Sequence, residues 1–245
     1  MRVKICGCRS VEVALAAADA GADFVGLMFA PSSKRRIELE DASEIVRALG
    51  TPLSELELQM PPAAFRTEAV GLGPWFEHGA SALDRLLERK RPLTVGVFAG
   101  NDPDEINEIV DECGIDLIQF SGGEPWGACL LANRQVIKAV HVLSEDDAAS
   151  AMSRMEVGSA MAVLLDKAHE AAFGGKGEAF DWSIATAIAD KMPVWLAGGL
   201  TPETVAEAIG EVRPWAVDVS SGVETDGAKD IAKIRAFIAG ARGAG

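Results

Sequence analysis

Short β-branched runs alternate with Ala/Glu-rich stretches of helical spacing from one end of the 245-residue chain to the other, and few folds satisfy that order. Strands are read at 2–7, 24–29, 93–99, 117–121, 135–142, 160–166, 193–197 and 216–220, followed by helices at 10–21, 40–49, 102–113, 125–133, 145–155, 182–191, 202–211 and 229–241. Strict alternation means a parallel sheet with crossover helices. Eight such units predict a single-domain α/β fold, the (β/α)8 or TIM barrel, covering residues 1–245; such barrels typically run to ~250 residues. Helix starts carry matching caps: Ser10 precedes "VEVALAAADAG", and Thr201 precedes Pro202 at the expected first helical position.

One segment departs from the rhythm. Between the second helix and third strand lies an insertion, residues 51–92, where a connection of ~2–6 residues is usual. Its part "GASALDRLLERK" reads as an added helix, whereas "MPPAAF" and "GLGPWF" read as turns with exposed apolar groups. Joining a helix to the next strand, it is expected at the N-terminal end of the barrel, opposite the mouth where such enzymes work. It is either a structural appendage or, through Trp75 and Phe76, an oligomer or partner surface.

Composition narrows the partners. A formal charge of −14 and a pI near 4.7 disfavour nucleic acid and anionic lipid, so an anionic ligand has to be met locally by a few basic groups or backbone amides. No apolar run approaches the ~20 residues of a membrane span and no signal core opens the chain, which points to the cytoplasm. The four cysteines (Cys6, Cys8, Cys113, Cys129) show neither metal-ligand spacing nor a disulfide framework.

In this fold the C-terminal ends of the strands and the loops after them hold the active site. That places Cys6 of "MRVKICG", "SSKRR" (32–36), Asp166 of "AVLLDKA", "AGGL" (197–200) and "DVSSGVE" (218–224) around one mouth. "GGL" alone is a plain turn. Together with "SSG" one strand later it predicts backbone amides around a phosphate. A thiol and a carboxyl across a barrel mouth can divide proton transfer, the thiolate taking a proton and the acid giving one. From the residues alone, Cys6 reads equally as a packed core thiol and Asp166 as a loop cap. Strand eight closes against strand one, so inward-pointing Lys4 and Asp218 are expected to form an ion pair beside the thiol.

"VKICG", "GADFVGLMFAPSSKRRI", "VGVFAG", "IQFSGGEP", "LLDKAHEAAFGGKGEAFDW", "AGGLTPETVAEAI" and "RPWAVDVSSGVE", in this order, resemble phosphoribosylanthranilate isomerase over nearly the whole chain outside 51–92. The resemblance implies a cofactor-free Amadori rearrangement in tryptophan biosynthesis, converting N-(5-phosphoribosyl)anthranilate to 1-(2-carboxyphenylamino)-1-deoxyribulose 5-phosphate. It implies Asp166 as general acid at the ribose ring oxygen and Cys6 as general base at C2. Arg35 is implied to meet the anthranilate carboxylate, the other reading being a solvated Lys34-Arg35-Arg36 run. Gln119, Gly177, Gly198, Gly199, Asp218, Ser220, Ser221 and Gly222 complete the implied substrate site. No metal is implied, and the assembly is a monomer or homodimer.

The chain departs from the family pattern at strand four. "QFSG" stands where "QLHG" is usual, so Ser121 replaces a histidine, and His141 at the end of strand five either substitutes or is structural. Gly123, where an acidic residue is common, and Cys8 are lesser departures. Ser121 keeps two other readings in play: a paralogous sugar-phosphate isomerase with a different substrate, and a non-catalytic sugar-phosphate-binding barrel.

Overall fold

A computed structural model describes residues 1–56, 71–167 and 182–245. Eight parallel strands close into a barrel in sequential order: β1 (Arg2–Cys6), β2 (Phe24–Met28), β3 (Leu93–Phe98), β4 (Leu117–Phe120), β5 (Val136–Val142), β6 (Ala162–Lys167), β7 (Trp195–Leu196) and β8 (Ala216–Val219). The helices are α1 (Val11–Asp19), α2 (Leu39–Ala48), α3 (Leu72–Arg89), α4 (Pro103–Cys113), α5 (Ala148–Ser153), α6 (Trp182–Ala189), α7 (Val205–Val212) and α8 (Ile231–Ala244). A short antiparallel pair, β9 (Glu224–Thr225) with β10 (Ala228–Lys229), follows β8. Among the described residues, no helix is long and apolar enough to cross a membrane.

Alternation along each strand sorts the core into two layers. Val3, Ile5, Val25, Leu27, Val163 and Leu165 point outward and pack beneath the helices. Phe24, Leu93, Leu117, Ile137, Ala162, Trp195 and Ala216 fill the lower interior of the barrel. Phe24 and Trp195 meet with ring centroids 4.5 Å apart, and Trp215 lies 5.5 Å from Trp195. The Arg2 guanidinium sits over the Trp215 ring and is bound to Asp84 of α3 by three short hydrogen bonds.

Helix α3 closes this floor. Leu83, Leu86 and Leu87 of α3 belong to the same apolar cluster as the barrel interior. Burying each contributes about 1.5–3 kcal/mol. The helix lies so close to the strand starts that a Cβ on Gly79 would overlap the Met161 carbonyl just before β6. Asp116, ahead of β4, ties the same end together by accepting from Leu53 N at 2.8 Å, Lys90 Nζ at 2.7 Å and both Thr94 N and Oγ1 at 2.8 Å. The described residues of the insertion thus lie at the N-terminal end of the barrel.

Three local readings are corrected. "GLGPWF" forms the first turns of α3, with Phe76 buried and Trp75 donating its Nε1 to Ala160 O at 2.8 Å, because the apolar face of the helix continues into those residues. "MPPAAF" lies outside the described residues. The helix expected at 125–133 is a 3₁₀ segment, Trp126–Leu131, in which Gly127 weakens α-helical propensity. Thr201 caps a turn that leads into α7 and not α7 itself: Thr201 Oγ1 accepts from Glu203 N at 3.3 Å, its carbonyl accepts from Thr204 N and Val205 N around Pro202, and α7 starts at Val205. Ser10 caps α1 as expected, accepting from Val13 N.

Because α3 acts as a floor remote from the mouth, Leu83→Ala should lower the free energy of unfolding by about 2–5 kcal/mol. Urea titration measures this, and KM for any ligand bound at the mouth should be unaltered.

Candidate active site

The last inward residue of β1 is Cys6, 4% exposed, and its side chain shares the barrel interior with Lys4 one turn of the pleat below. Lys4 is fully buried and sits 3.1 Å from each oxygen of Asp218 on β8, the residue opposite it in the β1–β8 register. The expected ion pair is therefore present. The Lys4 charge also acts on the neighbouring Cys6 thiol. Burial works to lower the Lys4 pKa, but Asp218 and Cys6 outweigh it and leave it above its ordinary value. For Cys6 burial dominates and pushes the thiol up, while Lys4 pulls the other way. Cys8 differs: it faces the outer layer, its thiol reaches Ile5 O, and burial pushes its pKa up to about 12.

The thiol has room because β2 carries Gly26 beside it. A Cβ there would fall 2.8 Å from Cys6 Sγ and 3.1 Å from Lys4 Cε. Sequence reasoning passed over Gly26, although a glycine inside a buried strand signals close approach of another group.

Asp166 lies near the C-terminal end of β6, on the inner face set by Ala162 and Leu164. Its Oδ1 lies 3.2 Å from where a Cβ of Gly198 would stand. Gly198 and Gly199 take φ of +87° and +79°, a backbone path that disfavours any side chain. A series of close approaches then runs around the rim from the Asp166 carboxyl to the backbone of Cys6. From Asp166 it passes to Gly198, along the β7 loop to Leu200, across to Gly222, whose Cβ would overlap the Leu200 carbonyl, and back to Ser220, whose Oγ donates to Cys6 O at 3.2 Å. The "AGGL" and "DVSSGVE" loops are one surface, with Ser221 opening the 3₁₀ turn Ser221–Val223.

Gln119 points inward from β4; its Nε2 donates to Ser121 Oγ at 2.8 Å, and its buried Oε1 has no partner among the described residues. His141, in register with Asp166 on the neighbouring strand, places Nε2 3.0 Å from Ser121 O, a contact that requires the proton on Nε2. The imidazole from β5 thus stands at the edge that Ser121 leaves short. Gly177 lies outside the described residues.

Arg35, after β2, is not part of a solvated run. Its Nε and Nη2 bind Glu224 Oε1 and Oε2 at 2.6 and 2.9 Å, and its stem crosses Gly7, where a Cβ would sit 2.9 Å from Arg35 Cδ. Hydrogen bonding to Arg35 holds the Glu224 carboxyl down at about 2. Lys229 Nζ contacts Glu224 Oε1 at 2.7 Å and Ser220 O at 2.9 Å. Neither Glu224 nor Lys229 was assigned a role from the sequence. "DG" between short extended runs, a hairpin signal, would have marked the strap that carries them.

A closed eight-stranded barrel whose mouth gathers these polar groups makes the chain an α/β barrel protein of the (β/α)8 class. A family model described as N-(5'phosphoribosyl)anthranilate (PRA) isomerase matches residues 75–240. The chain is 43% identical to N-(5'-phosphoribosyl)anthranilate isomerase of Roseiflexus sp. (strain RS-1), covering 100% of this chain and 99% of that protein. The phosphoribosyl anthranilate isomerase structure from Thermotoga maritima superposes with a TM-score of 0.73 at 35% identity, covering 99% of both chains. Another solved phosphoribosyl anthranilate isomerase, in complex with reduced 1-(o-carboxyphenylamino)-1-deoxyribulose 5-phosphate, gives 0.70 at 33% identity and the same coverage. The chain belongs to the phosphoribosylanthranilate isomerase family.

Gly26→Ala should displace the thiol toward the barrel axis. Misplacement of a reacting atom by about 1 Å costs on the order of 10²-fold in rate, so steady-state kcat should fall by that order while thermal unfolding remains cooperative.

Proposed function

We propose that this chain isomerises N-(5-phosphoribosyl)anthranilate to 1-(2-carboxyphenylamino)-1-deoxyribulose 5-phosphate, a step of tryptophan biosynthesis carried out in the cytoplasm. Family membership supports the reaction, and the single observation that carries the residue assignment is the contact path that binds Cys6, the "SSG" and "AGGL" loops and Asp166 into one rim.

The chemistry follows from charge and geometry. Amides of Gly198, Gly199, Ser221 and Gly222 hold the phosphate, and Arg35 holds the anthranilate carboxylate, a task suited to a planar two-pronged donor. Asp166 gives its proton to the ribose ring oxygen as the C1–O bond breaks, and the nitrogen lone pair forms the C1 iminium. That cation acidifies the C2 proton. Cys6 thiolate removes it, the C2–H electrons form the C1–C2 double bond, and the iminium becomes a neutral enolamine. Protonation at C1 and loss of the C2 hydroxyl proton complete the ketone. Buried Oε1 of Gln119 offers an acceptor to a sugar hydroxyl. The Lys4 ammonium favours the thiolate that the base role needs and thereby opposes the cost of burial.

Loss of anthranilate-substrate fluorescence at a rate proportional to enzyme tests the reaction; a fixed stoichiometric change would instead mean binding alone. Cys6→Ala and Asp166→Asn should each reduce kcat by at least ~10²-fold. A smaller loss would demote both to scaffold.

The pH profile adds a signed test. Because the thiol pKa is raised and Lys4 counters that rise, kcat/KM should climb with pH along the thiolate limb. In Lys4→Met that limb should move to higher pH. An unmoved limb in a folded Lys4→Met protein would remove Lys4 from the mechanism.

A further inference from the structure

Arg35 is engaged by the protein's own carboxylate, and the edge it uses matters. A guanidinium presents five N–H donors in a rigid plane. Glu224 takes the Nε side, with Nε to Oε1 at 2.6 Å and Nη2 to Oε2 at 2.9 Å. The Nη1 donors and the second Nη2 donor, which form the end-on fork, are not used by that pair. Glu224 is itself held on two sides. Its side chain is 11% exposed and shares Oε1 with Lys229, whose side chain is 5% exposed. The register Lys229↔Glu224 in the β9–β10 hairpin sets the two residues opposite each other, and the turn between them uses positive φ at Asp226 (+52°) and Gly227 (+79°), as a tight two-residue hairpin requires. Lys233 Nζ further pins the strap through Glu224 O at 2.7 Å.

Charge supplies the second strand of the argument. An isolated Arg–Glu pair is neutral and has little long-range pull on an anion. Lys229 restores one net positive charge to the triad. The cavity of about 300 Å³ between the hairpin and the β1 loop is lined by Arg9, Arg35, Lys229 and Glu224, three cations against one carboxylate, on a chain whose formal charge is −14. Lys229 also reaches Ser220 O at 2.9 Å, so one ammonium touches both the arginine's partner and the "SSG" loop.

We infer that Glu224 is a positioning residue for substrate recognition: it locks the side edge of Arg35 so that the end-on fork faces the aryl carboxylate of the ligand, and Lys229 cancels the charge that Glu224 would otherwise subtract. The inference rests on the reading of Arg35 as the carboxylate anchor. It makes the β9–β10 strap a specificity element for ligands carrying a carboxylate as well as a phosphate.

The test is steady-state kinetics with phosphoribosylanthranilate, together with inhibition by inorganic phosphate, on wild type, Glu224→Gln, Lys229→Met and Lys229→Arg. Misaiming a charge-assisted two-pronged contact should raise KM at least about tenfold in Glu224→Gln. Its kcat should stay within about threefold, because the reacting groups are not touched, and its phosphate inhibition constant should be unaltered. Lys229→Met should raise KM in the same way, and Lys229→Arg should recover most of the loss. A KM that is unmoved or lowered in Glu224→Gln overturns the inference, since a lowered value means that Glu224 competes with the substrate. Equal weakening of inorganic phosphate overturns it too, by showing a general collapse of the rim. If Glu224→Gln fails to fold, Glu224→Asp is decisive in its place: a shortened carboxylate must raise KM selectively, and an unchanged KM refutes the role. Wild-type protein without turnover sinks the isomerase reading and this one together, whereas turnover with an unmoved KM sinks this one alone.

Discussion

Closure of the sheet between β1 and β8 is the constraint on which the site depends. Parallel register across that seam sets Lys4 opposite Asp218 and Ile5 opposite Val219, residues more than two hundred positions apart in sequence. Two buried charges in such a place are tolerable only as a pair, because each alone would carry a desolvation penalty of several kcal/mol. The pair is therefore both a consequence of closure and a lock upon it. Its ammonium charge counters part of the burial that raises the Cys6 thiol, so the same lock bears on the electrostatics of that group.

Below that seam the barrel is filled and sealed. Aromatic and aliphatic side chains from seven strands meet the leucines of α3, while Asp116 and Arg2 tie the added segment to the strand starts. Above it, the structure is assembled from close approaches that only glycine allows. Gly26 leaves space for the thiol, Gly198 for the Asp166 carboxyl, and Gly222 for the backbone of the β7 loop. A rigid floor and a crowded polar mouth are complementary: groups that must stay within a fraction of an ångström of a working geometry need a scaffold that does not yield.

Much of this was legible in the chain. Alternation of period-two and helical runs located all eight barrel strands, and the strand ends located Cys6, Asp166 and the two loops over β7 and β8. The Lys4–Asp218 pair followed from inward parity and closure together. Less was legible where local signals compete. The helix expected at 125–133 is a 3₁₀ segment, and "GLGPWF" reads as a turn until the barrel floor offers its aromatics a place to be buried. Arg35 could be singled out, but its engagement by Glu224 joins positions 189 residues apart, a distance that no local pattern spans.

The amino-acid sequence by itself determined the fold and the chemical character of the mouth, because side-chain periodicity and strand-end chemistry are local properties carried by every short window. Only the tertiary structure decided which edge of Arg35 is occupied, why Gly26 and Gly198 are glycines, and what α3 covers. Those are contacts between surfaces that meet once the barrel has closed, and their energies depend on three-dimensional proximity and exclusion of water, not on neighbours along the chain.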